Sequence, residues 1–182
     1  MKTLVIIAHP NLETSLTNKL WMEELQKDSE NFHIHCLYTA YPDEKIDVEK
    51  EQALIEAYDK IIFQFPFYWF SSPPLVKKWL DEVLTYGWAY GSTSGYKLQG
   101  KKIGLVISVG IDEIEYRVEG KYGYTLKELI APFELTFNYV KANYIGFYAY
   151  YGIEQDTTVE WVAKSIPGYK KFIESIGVLN RG

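Results

Sequence analysis

The sequence predicts a doubly wound α/β domain: a mostly parallel sheet with helices on both faces. Three observations predict it. Five short apolar runs are rich in β-branched residues, amphipathic helical patterns lie between them, and no linker, repeat or low-complexity stretch interrupts the 182 residues. Continuous apolar runs of this length are strands buried on both faces, as parallel sheets require. Strands alternating with helices imply right-handed βαβ crossovers. The length fits one domain, taken as residues 1–182.

The first strand is Thr3-Leu-Val-Ile-Ile-Ala8, and the others cover residues 32–38, 60–65, 102–109 and 143–150. After the first strand, Leu16, Leu20, Trp21 and Leu25 recur at helical spacing, with Thr14 or Ser15 as N-cap. Residues 49–58 form a short charged helix with Ala53, Leu54 and Ala57 toward the sheet. In the next helix Ser72 is the expected cap and Pro73 the first helical residue. Leu75, Val76, Trp79, Leu80, Val83 and Leu84 make its buried stripe. Thr125 with Glu128, and Thr157 with Glu160, have the spacing of capping boxes. Pro132 restarts the first of these helices, and Pro167-Gly168 interrupts the last.

Composition narrows the function classes. A net charge of -5 argues against nucleic acid or an anionic membrane as partner. No apolar run approaches the roughly 18–20 residues needed to span a bilayer. The opening MKTLVIIAHP turns polar at Asn11 and Glu13 and has no small-residue cleavage site. Cys36 is the single cysteine, so no internal disulfide forms and a reducing cytoplasm is the default setting. It reads as an inert core thiol. His33 and His35 share a strand face, but no further ligand converges with them. A solvated face is the expectation, and no metal site. The outlying figure is 16% aromatic residues, with 16 Tyr and 5 Trp, more than one core needs. Planar ligands or a buried interface use such side chains.

In an open doubly wound sheet, ligands sit beyond the carboxyl ends of the strands. Three loops lie there. The first, His9-Pro-Asn-Leu-Glu-Thr-Ser-Leu-Thr-Asn18, runs hydroxyls into a helix N-terminus, which attracts a phosphate monoester. The helix dipole alone contributes about 0.3–1 kcal/mol. His9, Ser15, Thr17 and Asn18 are candidate side-chain donors, and Leu16 lies among them. The second loop carries Pro66, Phe67, Tyr68, Trp69 and Phe70, a flat wall for a stacked ring system. The third holds Ser108, Val109 and Gly110, with Tyr116 beyond. Gly110 admits close approach of a ring, and Tyr116 offers a phenol to charge developing there. Neither GxGxxG nor GxxxxGK[ST] occurs in the chain.

With these loops in order, the sequence resembles the NAD(P)H:quinone oxidoreductases of flavodoxin-like fold. It is closest to small bacterial members that include general-stress oxidoreductases and ancillary subunits of glutathione-regulated potassium-efflux systems. The carrying residues are His9-Pro10 with Ser15 and Asn18, Asp47-Val-Glu-Lys-Glu-Gln52, and Phe63-Gln-Phe-Pro-Phe-Tyr-Trp69. Further along come Pro73-Pro-Leu-Val-Lys-Lys-Trp79, Tyr86-Gly-Trp-Ala-Tyr-Gly91, and Ser108-Val-Gly110 with Tyr116. The family's usual Thr-Thr-Gly-Gly is Ser108-Val-Gly-Ile111 here, and the position of its catalytic His falls at or near Tyr122.

The resemblance implies a three-layer sandwich with strand order 2-1-3-4-5. It implies FMN as cofactor, with FAD as the alternative, and NAD(P)H as co-substrate. The first loop then holds the flavin phosphate and residues 66–70 the isoalloxazine edge. The third loop covers the pyrimidine side, and Tyr116 is the catalytic residue. Hydride passes to the flavin and then to a quinone or similar electrophile by a ping-pong route. A two-fold homodimer is expected, with Trp88, Tyr90 and the run 148–151 as interface candidates. A second reading makes the chain a regulatory subunit of a potassium-efflux transporter.

Overall fold

In the computed structural model, which describes residues 2–91, 95–155 and 157–176, five strands form a single sheet. They are β1 (Thr3–Ile7), β2 (Phe32–Cys36), β3 (Lys60–Pro66), β4 (Lys102–Ser108) and β5 (Asn143–Tyr150). Their order is β2-β1-β3-β4-β5, and every neighbouring pair is parallel. The helices are α1 (Leu16–Gln26), α2 (Leu37–Ala40), α3 (Val48–Glu56), α4 (Pro74–Val83), α5 (Leu126–Leu129), α6 (Ala131–Tyr139), α7 (Val159–Ala163) and α8 (Ile166–Ser175). Chain direction across the sheet reverses between β1 and β3. Ligands in such sheets bind beyond the carboxyl ends at that point.

Strand alternation splits the apolar residues between two cores. Leu4, Ile6, Ile61, Phe63, Ile103 and Leu105 face one, where Ile55, Trp79 and Phe137 cover them from α3, α4 and α6. Val5, Ile7, Ile62 and Val106 face the other, covered by Trp21 and Leu25 of α1 and by Tyr169 and Ile173 of α8. Trp21 stacks on Tyr169 with ring centroids 5.0 Å apart.

Several local expectations shift by a residue or a face. Ser15 caps α1, its hydroxyl accepting from Asn18 N–H. Pro73, not Ser72, is the N-cap of α4 at φ -56° and ψ 150°. The ring of Pro74 excludes helical geometry from the residue before it, so the helix starts at Pro74. Thr125 and Glu128 form the expected capping box, and α6 restarts around Pro132. Thr158 rather than Thr157 caps α7, because the Thr157 hydroxyl donates to Ile153 O at 2.6 Å. The break before α8 falls at residues 164–165, and Pro167 sits in the first helical turn, where its missing N–H costs nothing. Tyr148 and Tyr150, two of the interface candidates, are half-buried and have partners within the chain. Tyr148 packs edge-on to Trp21, and the Tyr150 hydroxyl donates to Trp161 O.

The largest departure is in α3, which turns Glu51 and Ile55 inward and leaves Ala53 and Ala57 exposed. Glu51 is fully buried, capped by three donors: His35 Nε2 at 2.7 Å, Tyr41 Oη at 2.7 Å and Trp79 Nε1 at 2.8 Å. His35 and His33 are accordingly half-buried and partnered, His33 by the Tyr58 hydroxyl, rather than solvated. Burial raises the Glu51 pKa, but the three hydrogen bonds outweigh it and hold the carboxyl below its ordinary range. The ionised group ties β2, α2, α3 and α4 together.

Glu51→Ala strands three buried donors and should cost about 3–5 kcal/mol in urea denaturation. Because the folded pKa is depressed, the Glu51 contribution is complete above the ordinary carboxylate pKa. It fades as pH falls through the lowered value. A loss under about 1 kcal/mol at neutral pH contradicts the assignment.

Candidate active site

Strands β1, β3 and β4 deliver their loops to one end of the sheet, and a buried polar network locks those loops together. Asn18 is fully buried; its Nδ2 donates to Ser15 Oγ at 3.1 Å and to Ser108 Oγ at 2.8 Å. Gln64, a polar residue inside β3, donates from Nε2 to Asn18 O at 3.2 Å. Its Oε1 accepts from the Tyr169 hydroxyl at 2.9 Å. Phe67 N–H donates to Ser108 O at 2.8 Å, joining the second loop to the third.

On the first loop, Asn18 N–H goes to Ser15 Oγ and Lys19 N–H to Ser15 O. The Leu16 and Thr17 N–H groups are the remaining helix-end donors with no carbonyl of the helix in reach. Burial lowers the His9 pKa, so the imidazole is neutral at pH 7. Asn11 N–H donates to His9 Nδ1 at 3.1 Å, which leaves Nε2 to carry the ring proton as an outward donor. His9 also meets Tyr68 edge-on at 6.4 Å, touching the second loop.

The second loop is a tight turn. Tyr68 and Ser71 exchange both backbone hydrogen bonds, at 3.1 and 2.9 Å. Between them Trp69 and Phe70 sit at φ 46° and 59°, geometry usually taken by Asn-Gly. Two consecutive aromatic residues in left-handed conformation carry a strain of roughly 1–3 kcal/mol each. The turn holds the Trp69 side chain 93% exposed beside a cleft of about 520 Å³. Phe67, Tyr68, Trp69 and Phe70 form one wall. Ile111, Tyr116, Tyr122 and Glu154 form the rest.

The third loop is fixed by the segment after β5. Val109 N–H donates to Tyr150 O, Ile153 N–H to Val109 O, and Glu154 N–H to Gly110 O. A Cβ on Gly110 would stand 2.4 Å from Glu154 Oε1, so only glycine allows this side chain to lie across the loop. Tyr116 packs against Phe67 at 5.9 Å and Tyr122 at 5.0 Å. Burial, then the nearby Tyr122 and Glu154, push its hydroxyl up to about 12, so it stays a protonated donor.

Of the residues expected from sequence, Phe67, Tyr68, Trp69, Phe70 and Tyr116 line the cleft, and His9 and Ser15 stand at the first loop. Pro66, Thr17, Asn18, Ser108 and Val109 are buried. They frame the loops, and Asn18 in particular spends its amide within the fold. Gly110 supplies bare backbone. Gln64, Tyr169 and Glu154 were missed. A polar residue in an apolar strand flags Gln64, and the loop after the fifth strand, which holds Glu154, meets the same topological rule as the other three.

A family model described as flavodoxin-like fold matches residues 1–172. The chain belongs to that family. An uncharacterized NAD(P)H oxidoreductase of Bacillus subtilis, YrkL, is 52% identical, covering 84% of this chain and 86% of its own. KefG of Cronobacter sakazakii, an ancillary protein of a glutathione-regulated potassium-efflux system, is 42% identical over 74% of this chain and 72% of its own. The crystal structure of general stress protein 14 from Treponema denticola, in complex with FMN, shares 43% identity at a TM-score of 0.91. It covers 97% of this chain and 99% of its own. An NADPH-quinone reductase structure from P. pentosaceus shares 31% identity at a TM-score of 0.83, with both chains wholly covered.

Asn18→Ala removes the amide that bridges Ser15 and Ser108 and should cost about 2 kcal/mol in urea denaturation. Ser108→Ala, which removes one acceptor, should cost about half as much. Equal stability of Asn18→Ala and the parent protein contradicts the network's role.

Proposed function

We propose that this chain is a flavin-dependent NAD(P)H oxidoreductase that reduces quinones and similar electrophiles by two electrons, with FMN as cofactor. The observation that carries the reading is the convergence of three loops on an aromatic cleft beside a helix end with free N–H groups. The relatives' descriptions, an NAD(P)H oxidoreductase, an FMN complex and a quinone reductase, agree with it. The overall change is NAD(P)H plus quinone plus a proton giving NAD(P)⁺ plus hydroquinone.

The residues fit the cofactor. The Leu16 and Thr17 N–H groups, Ser15 Oγ and the His9 Nε2–H hold a phosphate, which the α1 N-terminus favours. The segment of Pro66, Phe67, Tyr68, Trp69 and Phe70, with the backbone of Ser108, Val109 and Gly110, would hold the cofactor's flat ring system. When bound, FMN supplies the hydride relay, and the protein supplies position and electrostatics. Tyr116 keeps its proton aimed at the cleft and stabilises negative charge that develops there.

A cytoplasmic setting accords with the single cysteine, Cys36. Among the described residues no helix is long and apolar enough to cross a membrane. The likeness to KefG supports a second reading, in which the same fold binds and regulates a potassium-efflux transporter. A homodimer is supported by the exposed Tyr86, Leu135 and Tyr139, which cluster near the groove between α4 and α6.

The FMN-loaded protein should oxidise NADH or NADPH with a quinone. Tyr116→Phe should raise the barrier by about 2–4 kcal/mol, read as the loss in stopped-flow reduction rate. A change under about twofold removes Tyr116 from the mechanism. The rate should show no loss from Tyr116 ionisation until pH nears about 12. Sedimentation velocity at micromolar protein should give a dimer, and a monomer there contradicts the assembly.

A further inference from the structure

We propose that the cleft sorts flat acceptors by charge, binding cationic rings best, neutral rings next and anionic rings worst. The proposal deepens the functional reading above and rests on it for the statement that planar acceptors enter this cleft. Its ground is the make-up of the walls. Every wall residue but one is aromatic or aliphatic, and the exception is Glu154. Among the described residues its carboxylate has neither ion pair nor hydrogen-bond partner. Gly110 makes room for it, with Glu154 Oε1, Cδ and Cγ all within 3.1 Å of where a Cβ would stand. The side chain is exposed to solvent, and its carboxylate lies over Gly110 at the cleft wall.

The surroundings do not cancel that charge. His9, edge-on to Tyr68 at 6.4 Å, is held neutral by burial. The third loop carries Asp112, Glu113, Glu115 and Glu119 against Arg117 and Lys121. Lys121 Nζ lies 5.6 Å from the Tyr122 ring centroid, and four carboxylates on its own loop oppose it. Tyr116 registers the negative field, since Glu154 adds to the burial that raises its pKa.

Aromatic faces carry negative quadrupole and attract cations, most strongly Trp and Tyr. Tyr68, Trp69, Phe70 and Tyr122 present four rings around one unpaired carboxylate. That combination recognises a flat cation, such as a phenothiazinium or a quinone bearing a quaternary ammonium. A sulfonated quinone brings a second negative charge close to Glu154. Because that carboxylate is exposed, water screens the repulsion, which is worth about fivefold in affinity and more at low salt. The reduced nicotinamide ring itself is uncharged and enters without that penalty.

The test uses the FMN-loaded full chain, NADPH and three naphthoquinones: one neutral, one sulfonated and one with a quaternary ammonium. At low ionic strength kcat/KM, normalised to the neutral quinone, should be at least fivefold higher for the cation than for the anion. Glu154→Gln should bring that ratio within twofold of unity, and added salt should shrink it in the parent protein. Glu30→Gln, which removes the same charge at the opposite end of the sheet, should leave the ratio in place. In parallel, methylene blue and a sulfonated dye of similar size are titrated into FMN-free protein, read by tryptophan fluorescence. Methylene blue should bind at least fivefold tighter, and Glu154→Gln should abolish the difference. A ratio below fivefold in the parent protein, or one that Glu154→Gln leaves unchanged, overturns the proposal. If no quinone is reduced at all, the functional reading fails, and the dye titration alone decides the charge selectivity.

Discussion

The amide of Asn18 is the joint on which the site depends. One NH₂ group reaches Ser15 on the first loop and Ser108 at the end of β4, while Gln64 ties the same residue to the middle of the sheet. Asn18, Gln64 and Ser108 are buried and Ser15 is half-buried, and for a buried group an unmade hydrogen bond costs about 1–3 kcal/mol. The loops therefore cannot drift apart singly. Tyr169 extends the arrangement to α8, so the last helix also feels the geometry of the first loop. The helix-end donors and the aromatic turn keep a fixed separation without a ligand to hold them.

Against that rigid frame the second loop stores strain. Trp69 and Phe70 accept left-handed backbone because the paired hydrogen bonds of Tyr68 and Ser71 close the turn around them. A Gly in either place would relieve the backbone and remove a wall of the cleft. Such strain persists where the surroundings over-determine it, commonly at a working site. Glu154 is a second local exception, a carboxylate with no partner among the described residues on an otherwise apolar wall, lying over the bare backbone of Gly110.

Much of this was legible beforehand, for identifiable reasons. Continuous apolar runs and period-3.6 patterns report burial directly, so the strands, the helix carrying Trp79 and the single parallel sheet were readable. The loops followed from topology alone. What the pattern could not show is where polar atoms find partners. Glu51 looked like one charge in a solvated run, yet Trp79, Tyr41 and His35 converge on it from three other elements. Asn18 looked like a ligand donor, yet its amide is consumed by Ser15 and Ser108. Each miss concerns a contact between residues far apart in sequence, which hydropathy does not encode.

The central claim is that three loop ends, set by one buried network, grip a flavin. The visible spectrum of the purified chain, followed by release and identification of the pigment, tests it most directly. The account predicts flavin absorption near one equivalent, released as FMN, or the same bands after FMN is added to colourless protein. A protein that stays colourless with saturating FMN and FAD would contradict it.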